Sequence, residues 1–203
     1  MKNASETLQE KPDPILYAGF GKRLKAFAFD YLPIAAYIIL LFGLSLGAAR
    51  LMDLIGRPLR WPENPLLGDL IAFVILVLPV ILYFSLQESS PRQATWGKRK
   101  AGLLVTDSQQ GMLSRGQALV RSLIKFLPWQ IAHTSLFHWE GWPIAPAEPT
   151  PMVIAGFVLV WVLVGIYFLT ALFTKDHRTP YDWVAGSYVL VNPSASFRSS
   201  KDA

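Results

Sequence analysis

Apolar residues run along this chain in long unbroken blocks. They do not recur at the spacing of two, or of three and four, that a half-buried strand or a surface helix leaves. Residues 31–49, 70–86 and 152–174 contain no Asp, Glu, Lys or Arg. A helix of about 20 apolar residues crosses a bilayer core of about 30 Å, and only helices satisfy their own backbone in hydrocarbon, so these blocks predict transmembrane helices. The middle block is short and borrows Leu66, Leu67 and Gly68, while Pro33 and Pro79 should bend the first two helices.

A fourth crossing is less regular. Residues 115–139 carry Arg121 and Lys125 near their start and are apolar from 126 to 139 apart from Gln130, Thr134, Ser135, His133 and His138. Ser114 and Gln117 have the spacing of a capping box, so a helix should begin there. Taken alone, this stretch also suits an amphipathic helix lying on the membrane surface. Charge sidedness decides between the two. With four spans and an internal N-terminus, only Arg50, Arg57 and Arg60 of the 19 Lys and Arg residues fall outside. With three spans, Lys175, Arg178, Arg198 and Lys201 also move outside, against the positive-inside bias.

The predicted fold is therefore an all-α membrane protein with four transmembrane helices, at about 24–49, 68–87, 117–139 and 151–174, and with both termini cytoplasmic. The membrane domain should occupy residues 15–192, between a flexible cytoplasmic N-terminus (1–14) and a flexible C-terminal tail (193–203). The long polar stretch before the first block argues for a retained anchor over a cleaved signal peptide. Trp61, Trp129, Trp139 and Trp142 fall where an outer aromatic belt is expected. Between helices 2 and 3, the β-prone run LLVT (103–106) and the turn-forming DSQQG (107–111) predict a small cytoplasmic hairpin or strand insert. A second β-prone run, YVLV (188–191), lies on the same face and could pair with it.

Composition sharpens this picture. The chain is 52% hydrophobic and 16% charged, with a net charge of +5 and a mean hydropathy of +0.34. Soluble domains carry about 25% charged residues. The basic excess is accounted for by membrane sidedness, so no nucleic-acid partner is implied. There is no cysteine, which excludes disulfides, thiolate metal sites and cysteine nucleophiles. No H-E-x-x-H, P-loop or G-x-S-x-G occurs. Asp69, Glu140 and Glu148 lack convergent spacing. His133 and His138 point about 140° apart on a helix. No enzyme activity, metal or cofactor is expected.

What chemistry the chain has rests on charges at the edge of the oil. In GKRLKAFAFD (21–30), Arg23 and Asp30 share a helix face but lie about 10 Å apart along the axis, too far for a direct ion pair. An unpaired charge there costs a few kcal/mol, so each needs a partner from another segment. The C-terminal segment returns to the same face with both signs. Arg23 is expected to meet Asp182, and Asp30 to meet Arg178, Arg121 or Lys125. Lys98, Arg99 and Lys100 form a basic cluster for lipid headgroups or another anion, each contributing about 1 kcal/mol near an anionic leaflet. Gly43 and Gly47 make a G-x-x-x-G pattern, expected to admit another helix of the same bundle. Apart from tyrosine, the three clear spans hold no ionisable residue, which counts against transport.

Three stretches together resemble the RDD family of membrane proteins, named for one Arg and two Asp. GFGKRLKAFAFDYL (19–32) resembles its first-helix motif, with Arg23 and Asp30 as the Arg and the first Asp. TWGKRKAGLLVTDSQQGMLSRGQALVRSLIK (95–125) resembles its Gly-Lys-Arg, strand, turn and helix segment. KDHRTPYDWVAGSYVLV (175–191) resembles its C-terminal motif, with Asp182 as the second Asp. The likeness covers roughly residues 15–192. Trp96 departs from it, standing where the family often has a small residue or Leu. The resemblance implies a small helical domain of mostly unassigned function, some members being reported as sodium/proton antiporters. The expected setting is a bacterial cytoplasmic (inner) membrane, crossed several times. The expected role is a non-catalytic accessory or scaffold that contacts membrane lipids or another membrane protein. The alternatives are a small cation/proton antiporter or other transporter using Asp30, and a handler of anionic lipid or lipid-linked intermediates using Lys98, Arg99 and Lys100.

Overall fold

The apolar blocks become long helices in the computed structural model, which describes residues 16–58, 62, 64–142 and 145–192. Helix α1 spans Phe20–Leu54. Helix α2 (Pro65–Ala72), a π turn (Phe73–Val77) and α3 (Leu78–Glu88) continue as one rod, and α6 spans Pro151–Phe173. These three rods are long and apolar enough to cross a membrane. The tails 1–14 and 193–203, and Trp61, lie outside the described residues.

Helix α5 (Arg115–Phe137) starts on the reciprocal Ser114–Gln117 capping box. It packs along α3 on one side and α6 on the other. Near its start Arg121 pairs with Glu88 at the end of α3. Just past its end His138 lies 3.7 Å from Asp69 in α2. The helix therefore runs the full height of the α2–α3 rod. Trp139 and Trp142 stack at that far end, with ring centroids 5.4 Å apart. Trp129 does not join them, and lies about two helical turns deeper.

Two short helices and a small sheet gather at the other end: α4 (Trp96–Lys100), β1 (Leu103–Thr106), α7 (Pro180–Val184) and β2 (Tyr188–Val191). The LLVT run does not fold into a local hairpin. It pairs antiparallel with β2, from Leu103↔Val191 to Thr106↔Tyr188. A bridge between Tyr17 and Leu190 adds the arm before α1 to the other edge of β2. The sheet can form only after the last transmembrane helix returns the chain to the face where β1 waits. One buried cluster (Leu103, Val105, Val189, Ala18, Ala26 and Ala118) sits under the sheet. A second (Ile34, Val77, Ile81, Phe84 and Phe126) lies between the helices.

Three prolines, Pro33, Pro79 and Pro128, interrupt the helix ladders in a setting where a lost hydrogen bond cannot be replaced by water, and two of the freed carbonyls have a visible replacement donor. Pro79 cannot donate to the carbonyl of Ile75, and the turn before it opens into the π turn. Tyr37 of α1 donates its hydroxyl to that Ile75 carbonyl at 2.5 Å. Pro128 likewise leaves the Ile124 carbonyl without its ladder donor, and Tyr167 of α6 donates to it at 2.6 Å. In both cases a tyrosine from the neighbouring helix replaces the missing N–H and ties two helices together.

The glycines divide differently from expectation. A side chain built at Gly43 or Gly47 meets nothing within 4 Å, so no helix of this bundle packs there among the described residues. The outer half of α1 stands clear of its neighbours, with Ile39, Phe42 and Leu44 exposed. The close approach occurs instead at Gly156 of α6, where an added Cβ would strike the Ser135 hydroxyl of α5. Small residues belong at such contacts because they let two backbones close.

The proline–tyrosine pairing makes a test. Tyr167→Phe should lower stability in mild detergent by about 1–2 kcal/mol, the range for interhelical hydrogen bonds. Pro128→Ala restores the ladder donor, so in that background Tyr167→Phe should cost clearly less. Equal losses in both backgrounds, measured by chemical unfolding of the four proteins, would contradict the substitution of one donor for the other.

Candidate functional site: a buried charge network at the helix ends

Seven charged side chains meet where α1 begins, α3 ends, α5 begins and α7 lies. Asp182 is fully buried and takes most of the load. Its carboxylate accepts from Arg23 Nη1 at 2.8 Å and from Arg121 Nη2 and Nε at 2.7 and 3.0 Å. It also caps its own short helix, accepting from the Thr179 amide and hydroxyl at 3.1 and 2.9 Å. Pro180 at the first position of α7 presets that turn. Arg121 then reaches Glu88 through Nη1, and Lys98 Nζ meets the other oxygen of Glu88 at 2.5 Å. The result is one chain of alternating charge, Arg23–Asp182–Arg121–Glu88–Lys98, which ties α1, α7, α5, α3 and α4 together.

Burial alone would push the Asp182 carboxyl up, but Arg121 and Arg23 overcome that and hold it well below the usual carboxylate range. Beside it, burial and the Asp182 charge push the Tyr181 phenol up. The Arg121 guanidinium lies over the Tyr181 ring at 5.2 Å, which adds a face contact to its ion pairs.

Asp30 behaves differently from expectation. It pairs with none of Arg178, Arg121 and Lys125; among the described residues no cation comes within salt-bridge distance of it. Instead its two oxygens accept from the Tyr83 hydroxyl at 2.8 Å, the Thr95 hydroxyl at 2.6 Å and the Gly97 amide at 2.7 Å. Thr95 is the N-cap of α4 and also accepts from the Lys98 amide. The Thr-Trp-Gly turn thus presents two donors to a carboxylate on α1. Gly97 has to be glycine: an added Cβ would lie 2.7 Å from the Asp30 carboxyl carbon and would collide with the Ala26 carbonyl. Three hydrogen-bond donors, from α3 and from the start of α4, occupy the carboxyl oxygens where a cation was expected.

Arg178 is also placed otherwise. It donates to the Asp182 backbone carbonyl at 3.1 Å and to the Ser187 carbonyl at 3.1 Å, lies 3.8 Å from Asp176, and covers the Tyr188 ring. It fastens the turn before β2 and leaves the Asp182 carboxylate to Arg23 and Arg121. The Lys98–Arg99–Lys100 run does not act as one patch. Lys98 is buried against Glu88, Arg99 donates to Gln87 and to the Ala94 carbonyl, and Lys100 lies over Trp96. Successive residues of a helical turn point about 100° apart, so a run of three basic residues cannot share a face.

Glu88 and Thr95 are the site residues that the sequence hides. Glu88 could have been suspected as the carboxylate that ends a long apolar rod. Thr95 is visible only as the N-cap of α4. His133 hydrogen-bonds the Trp129 carbonyl of its own helix at 2.9 Å and lies beside the Trp129 and Phe137 rings. No group of three or more His, Asp or Glu side chains converges among the described residues.

The sequence model of the RDD family matches residues 17–186. That segment contains Arg23, Asp30 and Asp182 and all of their carboxylate contacts above. No curated protein and no solved structure matches the chain.

Removing one partner from a buried ion pair leaves a buried charge behind, at a cost of about 3–5 kcal/mol. Asp182→Asn should show a loss of that size at neutral pH. A depressed carboxyl pKa stabilises the fold above its unfolded value of about 4, and that contribution is lost as pH falls below it. The wild-type apparent Tm should therefore begin to drop near about pH 4 and go on dropping below about pH 3, and the Asp182→Asn Tm should vary less over that range. Parallel pH profiles for the two proteins would show that Asp182 does not carry the acid sensitivity.

Proposed function

The chain belongs to the RDD family, a membrane-associated family, and from that premise we propose that it is a non-catalytic accessory or scaffold of the bacterial cytoplasmic membrane, contacting lipid or another membrane protein. Its four helical rods cross the bilayer, both termini are cytoplasmic, and the α4–β1 insert and the charge network lie on the cytoplasmic face. Support for the fourth span comes from α5, which reaches from Glu88 at one end of the α2–α3 rod to Asp69 at the other. The orientation follows the positive-inside bias of the segments that gather at the charged end.

One observation carries the scaffold reading: the three buried carboxylates are each saturated by fixed donors. Asp30 holds three hydrogen bonds, Glu88 two cations, and Asp182 two arginines and its own helix cap. A carrier carboxylate must exchange a proton or cation with a water-filled path near the midplane, on broken helices that can move. Here Glu88 and Asp182 stand at helix ends, Asp30 lies about three turns into α1, and with their donors they lock five elements together.

Two measurements bear on this reading. The protein reconstituted in vesicles holding a pH dye should give no response to an external Na⁺ pulse. A response abolished by Asp30→Asn at equal expression would establish the antiporter instead. Because the chain has no cysteine, single replacements can report sidedness. Gln109→Cys should react with an impermeant maleimide only from the cytoplasmic side, and Glu140→Cys only from the opposite side. Labelling of both from one side would reduce α5 to a surface helix.

A further inference from the structure

A lateral cavity of about 390 Å³ opens between α1, α5 and α6 beside the charge network. That volume lies within the roughly 300–1,000 Å³ of small-molecule sites. Its outer walls are Leu24 and Phe27 of α1, Trp129 of α5, and Val164 and Phe168 of α6, each at least 39% exposed. Those walls belong to helices that face hydrocarbon, so the opening gives onto lipid. Its inner end is charged, with a basic excess. Arg23, Lys98, Arg121 and Lys125 line it together with one carboxylate, Asp30.

The charges there do not balance. Four basic side chains, Lys98 and Arg121 buried and Arg23 and Lys125 half-buried, gather with three buried carboxylates (Asp30, Glu88 and Asp182). Arg178 has its own neighbour in Asp176. The unmatched cation is identifiable. Among the described residues no carboxylate lies within salt-bridge distance of Lys125. Its ammonium rests on aromatic faces, 3.6 Å from the Phe84 centroid and 5.8 Å from that of Phe27. A second donor is also unused. Arg23 spends Nη1 on Asp182 and Nε on the Ala18 carbonyl, while its Nη2 is buried with no partner. An ammonium that opens onto the cavity with no carboxylate beside it can take an anion in a charge-assisted hydrogen bond.

We propose that this cavity binds an anionic amphiphile with a phosphate headgroup, the phosphate taken by Lys125 Nζ at the end that Arg23 also lines, and an acyl chain lying along the apolar walls between α1 and α6. The proposal rests on the scaffold reading in that it gives the lipid contact a defined place. Lys125 lies one helical turn further along α5 than Arg121, beside the charged end of the bundle. Lys125 replaces the Lys98–Arg99–Lys100 run as the lipid-binding group, because those three side chains have other partners or point apart.

Delipidated protein in neutral detergent can be titrated with phosphatidylglycerol, phosphatidylcholine or inorganic phosphate and followed by native mass spectrometry. Phosphatidylglycerol should bind at one site, with phosphatidylcholine weaker by about tenfold or more. Lys125→Gln should lose most of that preference and Lys125→Arg should keep it. Lys125 holds no carboxylate, so Lys125→Gln should stay folded. Val164→Trp, which fills the groove and leaves the charges intact, should block binding by a separate route. Lys100→Gln, outside the cavity, should change nothing. Equal binding of the two lipids, equal effects of Lys100→Gln and Lys125→Gln, or displacement by millimolar inorganic phosphate would each overturn the proposal. The first two would reduce the effect to general surface charge, and the third would make the ligand a free anion. None of these outcomes touches the vesicle transport assay. A cation flux there with lipid binding intact would instead remove the scaffold reading and leave the site.

Discussion

The carboxylate of Asp182 is the point that holds the charged end of the bundle in register. It receives α1 through Arg23 and α5 through Arg121, and it caps the short helix on which it stands. Arg121 passes the connection to α3 through Glu88, and Glu88 passes it to α4 through Lys98. None of these charges tolerates isolation at the edge of hydrocarbon, so each constrains the next. The sheet depends on the same junction, because β2 follows Asp182 within six positions and is fastened by Ser187 and Arg178 to the turn that Asp182 closes.

Along the helices the constraint is different. Lipid offers no hydrogen bonds, so every break in a backbone ladder must be answered by protein. Pro79 and Pro128 create such breaks in two different rods, and both are answered by a tyrosine hydroxyl from the adjacent helix. The bends that these prolines impose therefore also join α1 to the α2–α3 rod and α6 to α5. The direct helix contacts run through α5, which packs on α3 and α6. Helix α1 joins the bundle chiefly at its charged end, where Gly97 lets α4 come up against Ala26 and Asp30.

That uneven attachment of α1 opens the lateral cavity. A helix clamped by ion pairs at one end, and standing clear of α6 above them, leaves a slot with a basic floor and apolar walls. The surplus charge of the network sits at that floor. The network is complete as a clamp for helices and incomplete as a balance of charge, and the difference is one ammonium, that of Lys125.

The sequence by itself determined the apolar rods, the Ser114–Gln117 cap and the Asp107–Gly111 turn. All of these depend on neighbours within a few residues or on the total hydropathy of a segment. It also set the requirement that Arg23 and Asp30 find partners, since a charge at the edge of oil cannot stay alone. Who the partners are was decided by tertiary structure. Arg23 and Asp182 stand 159 positions apart, and Arg121 and Asp182 61 apart; no local pattern carries such a distance. Sign alone suggested a cation for Asp30, whereas proximity supplied a hydroxyl pair and a backbone amide. The same holds for Gly43 and Gly47: the pattern permits close approach, but only the placement of the other helices decides whether one approaches. Local chemistry states what each group needs, and the folded backbone determines which group is near enough to supply it.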